Sequence, residues 1–243
     1  MPHFFITSKN INRNTITIDD SENYRHIARS LRARCGEKLL LIDEFQIQYE
    51  TTITEITNEK IVCSIQQSYQ SKRDLDFDLY LAQSPLRSDS QLTIMEKSTE
   101  LGVRGVYPVI TDNCAVKKDV AQSKVEKWQR VMNEASKQCE RAKIPICYPV
   151  TDFQTLFQSD FDRIIVMGER STEQNLKQYL SKLPIKKSEK LLVIIGPEGG
   201  FSQREFNLFR EKDLPVISLG DLILKADTAV IVTLGNIIHE YKG

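Results

Sequence analysis

Cysteine is scarce in this 243-residue chain: Cys35, Cys63, Cys114, Cys139 and Cys147 are odd in number and form no CxxC pair. Neither a disulfide framework nor a structural zinc site follows from them, and reduced, mostly buried thiols are expected. Histidine is scarcer still, with His3, His26 and His239 far apart and no HExxH, so no metal is expected. Charge of one sign is not in excess, because Lys+Arg and Asp+Glu number 33 each. Any nucleic-acid binding must therefore come from a local patch and not from a global field. No run approaches 18 apolar residues, and the opening MPHFFITSKN lacks the charged-then-apolar pattern of an export signal. A cytoplasmic protein without membrane partners is the expectation. GxxxxGK(S/T), GxGxxG and GxSxG are all missing, which removes the usual sequence support for ATP hydrolysis, hydride transfer and serine-based hydrolysis.

What is present has two rhythms. Over the first seventy or so residues, Ile16 and Ile18 alternate with Thr15 and Thr17, Leu39–Ile42 is a short apolar run, and Tyr49–Ile56 and Lys60–Ile65 flank a Thr57-Asn58-Glu59 turn. One helix, about Ser21–Ala33, interrupts these strands, a pattern that suggests a small barrel. A polar stretch around Gln70–Asp76 reads as a linker, which divides the chain into 1–72 and 73–243.

After the linker, strands and helices alternate. Strands are expected at Leu79–Ala82, Val106–Ile110, Ile164–Met167, Leu191–Ile195 and Val216–Leu219. Helices are expected at Ser88–Leu101, stopped by Gly102, at Asp119–Ala142, around Leu176–Leu183, and at Thr228–Tyr241. In the second of these, Trp128, Val131, Met132, Ala135 and Cys139 form one apolar face. The alternation predicts a mainly parallel α/β sheet.

Two glycine bends carry the chemical interest. Ile194-Ile195-Gly196-Pro197-Glu198-Gly199-Gly200-Phe201-Ser202 takes a buried strand into a helix, whose start is marked by the Ser202/Glu205 capping-box pair. Such a bend lets backbone amides approach a ligand beyond a strand's carboxyl end; a tight turn with no ligand is the alternative. The second bend, Ser218–Ala229, offers Asp227 or Thr228 as helix cap. It places Leu222-Ile223-Leu224 where a loop should be, either packed on the core or forming the wall of an aromatic-base pocket. Separately, Arg25, Arg29 and Arg32 fall at i, i+4 and i+7 of the first helix. Ser21–Lys38 holds five basic and two acidic side chains, so this face is either solvated or a contact for RNA phosphates.

Together, EKSTELGV (96–103), EASKQCER (134–141) followed by Ile144-Pro145, IGPEGGFS (195–202) and SLGDLILKADTA (218–229) resemble the ribosomal RNA small subunit methyltransferase E family; the stretch His26–Arg32 matches as well. The resemblance implies an N-terminal PUA-like β-barrel for RNA and a C-terminal SPOUT-type α/β domain with a trefoil knot, a rare exception to unknotted chain connections. It implies methylation of uridine N3 in 16S rRNA using S-adenosylmethionine, by a homodimer whose partner is the rRNA or the small ribosomal subunit. Cofactor contacts are then expected from Met167, Gly168 and Glu169; from Ile195, Gly196, Pro197, Glu198 and Gly200; and from Leu219, Gly220, Leu222, Ile223, Leu224, Thr228 and Ala229. The rival readings are a SPOUT methyltransferase for another RNA base and a non-catalytic RNA-binding assembly factor.

Uridine N3 is a poor nucleophile until its proton leaves, so a base or an anion-stabilising cation should help. Glu198 and Asp227 are the carboxylate candidates and Arg141 the cation. Glu198 as a loop-capping carboxylate is the simpler alternative. The chain departs from the family pattern at Lys225 and Asp227, where Arg and Glu are usual, and at Ser88 and Asn113, where relatives commonly have basic side chains.

Overall fold

The computed structural model describes residues 2–168 and 174–242, and the expected cofactor residue Glu169 lies outside them. The chain divides into two units, one of Met1–Asp74 with Ser136–Lys143, the other of Leu75–Ala135 with Ile144–Gly243. The first unit thus takes in residues 136–143, which the sequence pattern grouped with the second.

The first unit is built on a six-stranded sheet in the order β1-β4-β5-β6-β3-β2. Its strands are β1 (His3–Phe5), β2 (Ile11–Asn12), β3 (Thr15–Ile18), β4 (Lys38–Ile42), β5 (Ile47–Ile56) and β6 (Ile61–Gln70). β1 runs parallel to β4, and the other pairings are antiparallel. The Ile/Thr alternation of β3 buries Ile16 and Ile18, which join Phe4, Ile27, Leu39, Leu41, Ile53 and Ile61 in one core. The short β1 and β2 carry too few residues for their period to stand out in the sequence.

The helix expected over Ser21–Ala33 is shorter and changes type. α1 (Ser21–Tyr24), capped by Asp20, widens into a π-helical turn over Arg25–Ser30, where the Leu31 amide donates to the His26 carbonyl at 2.9 Å. Arg32 follows at φ 53°, in the left-handed region and past the helix end. Arg25 and Arg29 therefore share the helix, and Arg32 does not.

The second unit is a six-stranded, wholly parallel sheet in the order β12-β10-β11-β7-β8-β9. Its strands are β7 (Asp78–Gln83), β8 (Gly105–Pro108), β9 (Ile146–Cys147), β10 (Arg163–Met167), β11 (Lys190–Ile195) and β12 (Val216–Ile217). The helices are α2 (Ser88–Glu100), α3 (Lys118–Gln122), α4 (Val125–Gln138, whose last turn counts with the first unit), α5 (Phe153–Leu156), α6 (Leu176–Lys182), α7 (Gln203–Glu211) and α8 (Ala226–Lys242).

β11 shows why the apolar runs lack a polar face. Leu191, Val193 and Ile195 enter a core with Ile94, Trp128, Met132, Leu180, Val230 and Leu234 from α2, α4, α6 and α8. Leu192 and Ile194 point the other way, to Phe153, Leu156 and Phe209 of α5 and α7. Each such fully buried side chain contributes roughly 1.5–3 kcal/mol.

The long helix expected over Asp119–Ala142 is broken. Ser123 closes α3, its amide donating to the Asp119 carbonyl at 3.0 Å and its hydroxyl to the Val120 carbonyl at 2.9 Å. α4 ends at Gln138, before Glu140 turns to φ 56°. No described helix is long and apolar enough to cross a membrane.

Candidate functional site

Three neighbouring strand ends lie level. Met167, the last residue of β10, is in register with Ile195 at the end of β11 and with Ile217 at the end of β12. A cavity of about 620 Å³ opens beyond these three carboxyl ends, where ligands of open α/β sheets bind.

The bend after β11 forms one wall. Ile195, Gly196 and Pro197 are buried and Glu198 is exposed. The Gly200 amide donates to the Pro197 carbonyl at 2.9 Å in a turn that needs the φ of +67° at Gly200. α7 then starts as its sequence indicates. Ser202 Oγ accepts from the Glu205 amide at 3.2 Å, and Glu205 returns a carboxylate oxygen to the Ser202 amide at 2.8 Å.

The bend after β12 forms the other wall. Gly220 has φ +134°, and Leu222 and Ile223 are 80 % and 59 % exposed. Of the two arrangements open for Leu222-Ile223-Leu224, packing on the core does not occur; all three line the cavity. α8 begins two residues earlier than expected. The Lys225 carbonyl accepts from the Ala229 amide at 2.7 Å, and Asp227 sits in the first turn with Oδ1 2.8 Å from the Thr228 amide. Asp227 and Thr228 are thus inside the helix and not its caps.

The residues proposed from sequence come together in large part. Met167, Gly168, Ile195, Gly196, Pro197, Glu198, Gly200, Leu219, Gly220, Leu222, Ile223, Leu224 and Ala229 all line the cavity, as does Asp227. Thr228 is exposed and is not among the lining residues. Sequence reasoning missed Leu86 and Ser90 near the start of α2, Phe201 and Phe206 beside the first bend, and Ile217 and Ala226 beside the second. Of these, Phe206 carried a signal, since it lies four residues after the Ser202 cap on the first turn of a helix already located.

Arg141 is not among the residues that line the cavity. It belongs to the first unit, where Nε lies 3.0 Å from Asp74 Oδ1 with the side chain 6 % exposed. It follows the end of α4, its amide donating to the Ser136 carbonyl at 3.1 Å. A guanidinium so buried and paired is part of that unit's framework, and among the described residues the cation lining the cavity is Lys225.

Arg25, Arg29 and Arg32 are exposed on the first unit and make no ion pair among the described residues. No cluster of His, Cys, Asp and Glu suited to a metal occurs among the described residues. None of the five cysteines is in a disulfide, and burial pushes the Cys63 thiol up to about 11 and Cys147 up to about 12.

A family model described as an RNA methyltransferase domain matches residues 73–238, and one described as an RNA methyltransferase PUA domain matches 18–66. Among curated proteins, ribosomal RNA small subunit methyltransferase E of Bacillus subtilis is 29 % identical, over 90 % of this chain and 88 % of its own. The protein of that name from Aquifex aeolicus is 29 % identical over 84 % of this chain and 86 % of its own. Among solved structures, a ribosomal RNA small subunit methyltransferase E from Neisseria gonorrhoeae bound to S-adenosyl methionine shares the fold, with a TM-score of 0.84 at 23 % identity, over 98 % of this chain and 97 % of that one. With the first model spanning well over half of its residues, the chain belongs to the RNA methyltransferase family.

Proposed function

We propose that this protein transfers a methyl group from S-adenosylmethionine to N3 of a uridine in the 16S rRNA of the small ribosomal subunit. The observation that carries the reading is the single cavity formed where the bends after Ile195 and Leu219 meet the end of β10 at Met167. At about 620 Å³ it lies within the roughly 300–1,000 Å³ range of small-molecule sites.

The residues fit the cofactor. Leu222, Ile223, Leu224 and Ala229 offer an apolar wall for a purine, and Gly168, Gly196 and Gly220 bring backbone close to polar ribose and amino-acid groups. Glu198 and Asp227 bring carboxylate residues to the lining, which suits a ligand carrying a sulfonium charge. When bound, that group supplies an electrophilic methyl. The chain's part is to align the target nitrogen and to remove its proton. Alignment is the larger requirement of an in-line displacement. Glu198, exposed on the bend, is the candidate acceptor for the N3 proton, with Asp227 as second candidate, and Lys225 supplies positive charge for the uracil anion.

In this reading the bends belong to a SPOUT-type trefoil knot, and the N-terminal sheet is a PUA-like barrel whose Arg25, Arg29 and Arg32 hold RNA phosphates while the target base is presented unstacked. Two copies pack knot to knot as a homodimer in the cytoplasm. Exposed Leu222 and Ile223 at the cavity and Ile231 on α8, 36 % exposed, support such a contact.

The test joins calorimetry with S-adenosylmethionine to mass-mapping of 16S rRNA from a deletion strain. Heat of binding together with one uridine lacking its N3 methyl is the expected result. A methyl lost from another base would transfer the reading to a different RNA target. Absence of binding with an intact map would leave an RNA-binding assembly factor.

A further inference from the structure

The loop that follows β8, Thr111–Cys114, contributes nothing to the cavity lining, yet it is bonded to both of the segments that shape one side of it. Its root is buried: Thr111 Oγ1 and Ser84 Oγ lie 2.8 Å apart, and Cys114 Sγ lies 3.5 Å from the Pro85 carbonyl, just before the lining residue Leu86. Its tip reaches across to the glycine bend. Asn113 Nδ2 donates to the carbonyls of Gly199 at 3.2 Å and Gly200 at 3.1 Å. The approach is close enough that a Cβ on Gly199 would come 3.2 Å from Asn113 Cβ. Between root and tip, the Asp112 amide donates to Glu205 Oε1 at 3.0 Å, the same buried carboxylate that caps Ser202. The Asp112 carboxylate accepts from Ser202 Oγ and from Arg204.

We propose that Asn113 is a positioning residue for the site: its amide group, with the Asp112–Glu205 contacts behind it, holds the Pro197–Gly200 backbone in the shape that receives the cofactor. Three features make the assignment specific. The bend's two carbonyls point at one donor group, and only a side chain with an N–H can satisfy both. The contact spans 86 and 87 residues of sequence, so no local turn chemistry duplicates it. Asn113 itself touches no cavity space, so it acts through the bend. The inference about the bend's shape rests on geometry alone, and the inference about cofactor affinity rests also on the function proposed above.

The test uses the full chain, with hydrogen exchange at residues 198–201 in the free protein and calorimetry with S-adenosylmethionine. Asn113→Asp keeps the shape, loses both donors and turns a carboxylate toward two carbonyls. It is expected to speed amide exchange in the bend about tenfold and to weaken cofactor binding about tenfold, with the melting temperature little changed because the side chain is exposed. Asn113→Gln, which keeps the amide, is expected to restore part of both. Turnover measurements should show KM for the cofactor rising more than kcat falls. Exchange and affinity in Asn113→Asp equal to those of the unaltered protein would overturn the proposal. Faster exchange in a protein whose unaltered form binds no S-adenosylmethionine would support the positioning role and reject the cofactor reading.

Discussion

Gly196 faces the ring of Phe201 so closely that a Cβ built on it would stand 3.1 Å from Cζ. Phe201 closes the bend back over its own beginning, and its ring packs edge-on against Phe206 and Phe209 at centroid distances of 5.9 and 5.1 Å.

Gly196→Ala follows from that contact. The backbone at Gly196 is not left-handed, so alanine adds no conformational strain, and the ring of Phe201, itself a lining residue, must yield by a few tenths of an ångström. Affinity for S-adenosylmethionine is expected to fall about tenfold, or roughly 1.4 kcal/mol, with a small loss of thermal stability. Calorimetry beside a melting curve checks both, and unchanged affinity would show that Phe201 moves away from the ligand's place.

Glu198→Gln separates binding from proton removal. The exposed bend tolerates the isostere, so cofactor affinity should hold while single-turnover methylation slows by about 10²-fold or more. Equal single-turnover rates would dismiss Glu198 as base and pass the role to Asp227.

Replacing Arg25, Arg29 and Arg32 together by Ala should weaken RNA binding and flatten its salt dependence. Three lost phosphate contacts on a single strand correspond to about 2 units of log–log slope. Filter binding across a salt series measures it. If neither affinity nor slope moves, the basic contact lies elsewhere, with Lys117, Lys118 and Lys124 the next group to replace.

His3 gives the first unit a pH dependence. Burial, followed by the nearby Arg73 charge, holds its imidazole down at about 4 against the ordinary 6.5, opposed by a backbone contact from Lys137. The folded state therefore binds fewer protons than the unfolded state between those values. The stabilisation of the neutral ring is complete above pH 6.5 and is lost as pH falls toward 4, by about 3 kcal/mol in all. Melting curves between pH 4.5 and pH 7.5 (about the span of that shift) should show the drop. His3→Phe should lessen it, and a pH profile that His3→Phe leaves unaltered would exclude His3 as its source.

What could be read from the chain followed the range of the interactions. Local rules located Gly102 at φ 84° after α2, and the reciprocal Ser202/Glu205 cap of α7. They located β11 as well, because an apolar run is bounded on both sides by turn signals. They failed where geometry departs from one period: the π-helical turn at Arg25–Ser30 removes Arg32 from the face that its spacing implied, and Ser123 interrupts the expected helix ahead of Trp128, where its apolar stripe begins. Local rules also carry no information on partners far away in sequence. The pairing of Arg141 with Asp74 and the reach of Asn113 to Gly199 each join residues separated by more than sixty positions, and neither leaves a periodic trace. The hydrophobic triplet 222–224 could be noticed but not resolved, since exposure depends on which surface is available to cover it.

The level ends of β10, β11 and β12 bring together residues 167, 195 and 217, which share no neighbourhood until the sheet has formed. A guest gripped there has nothing to hold in the denatured chain, so its occupancy counts wholly toward the native form. The unfolding free energy should rise with the logarithm of guest concentration, by about 2.7 kcal/mol at one hundred times the dissociation constant, and the melting temperature with it. The pocket is therefore also a thermal lock, closed by whatever small molecule the cell keeps abundant enough to fill it.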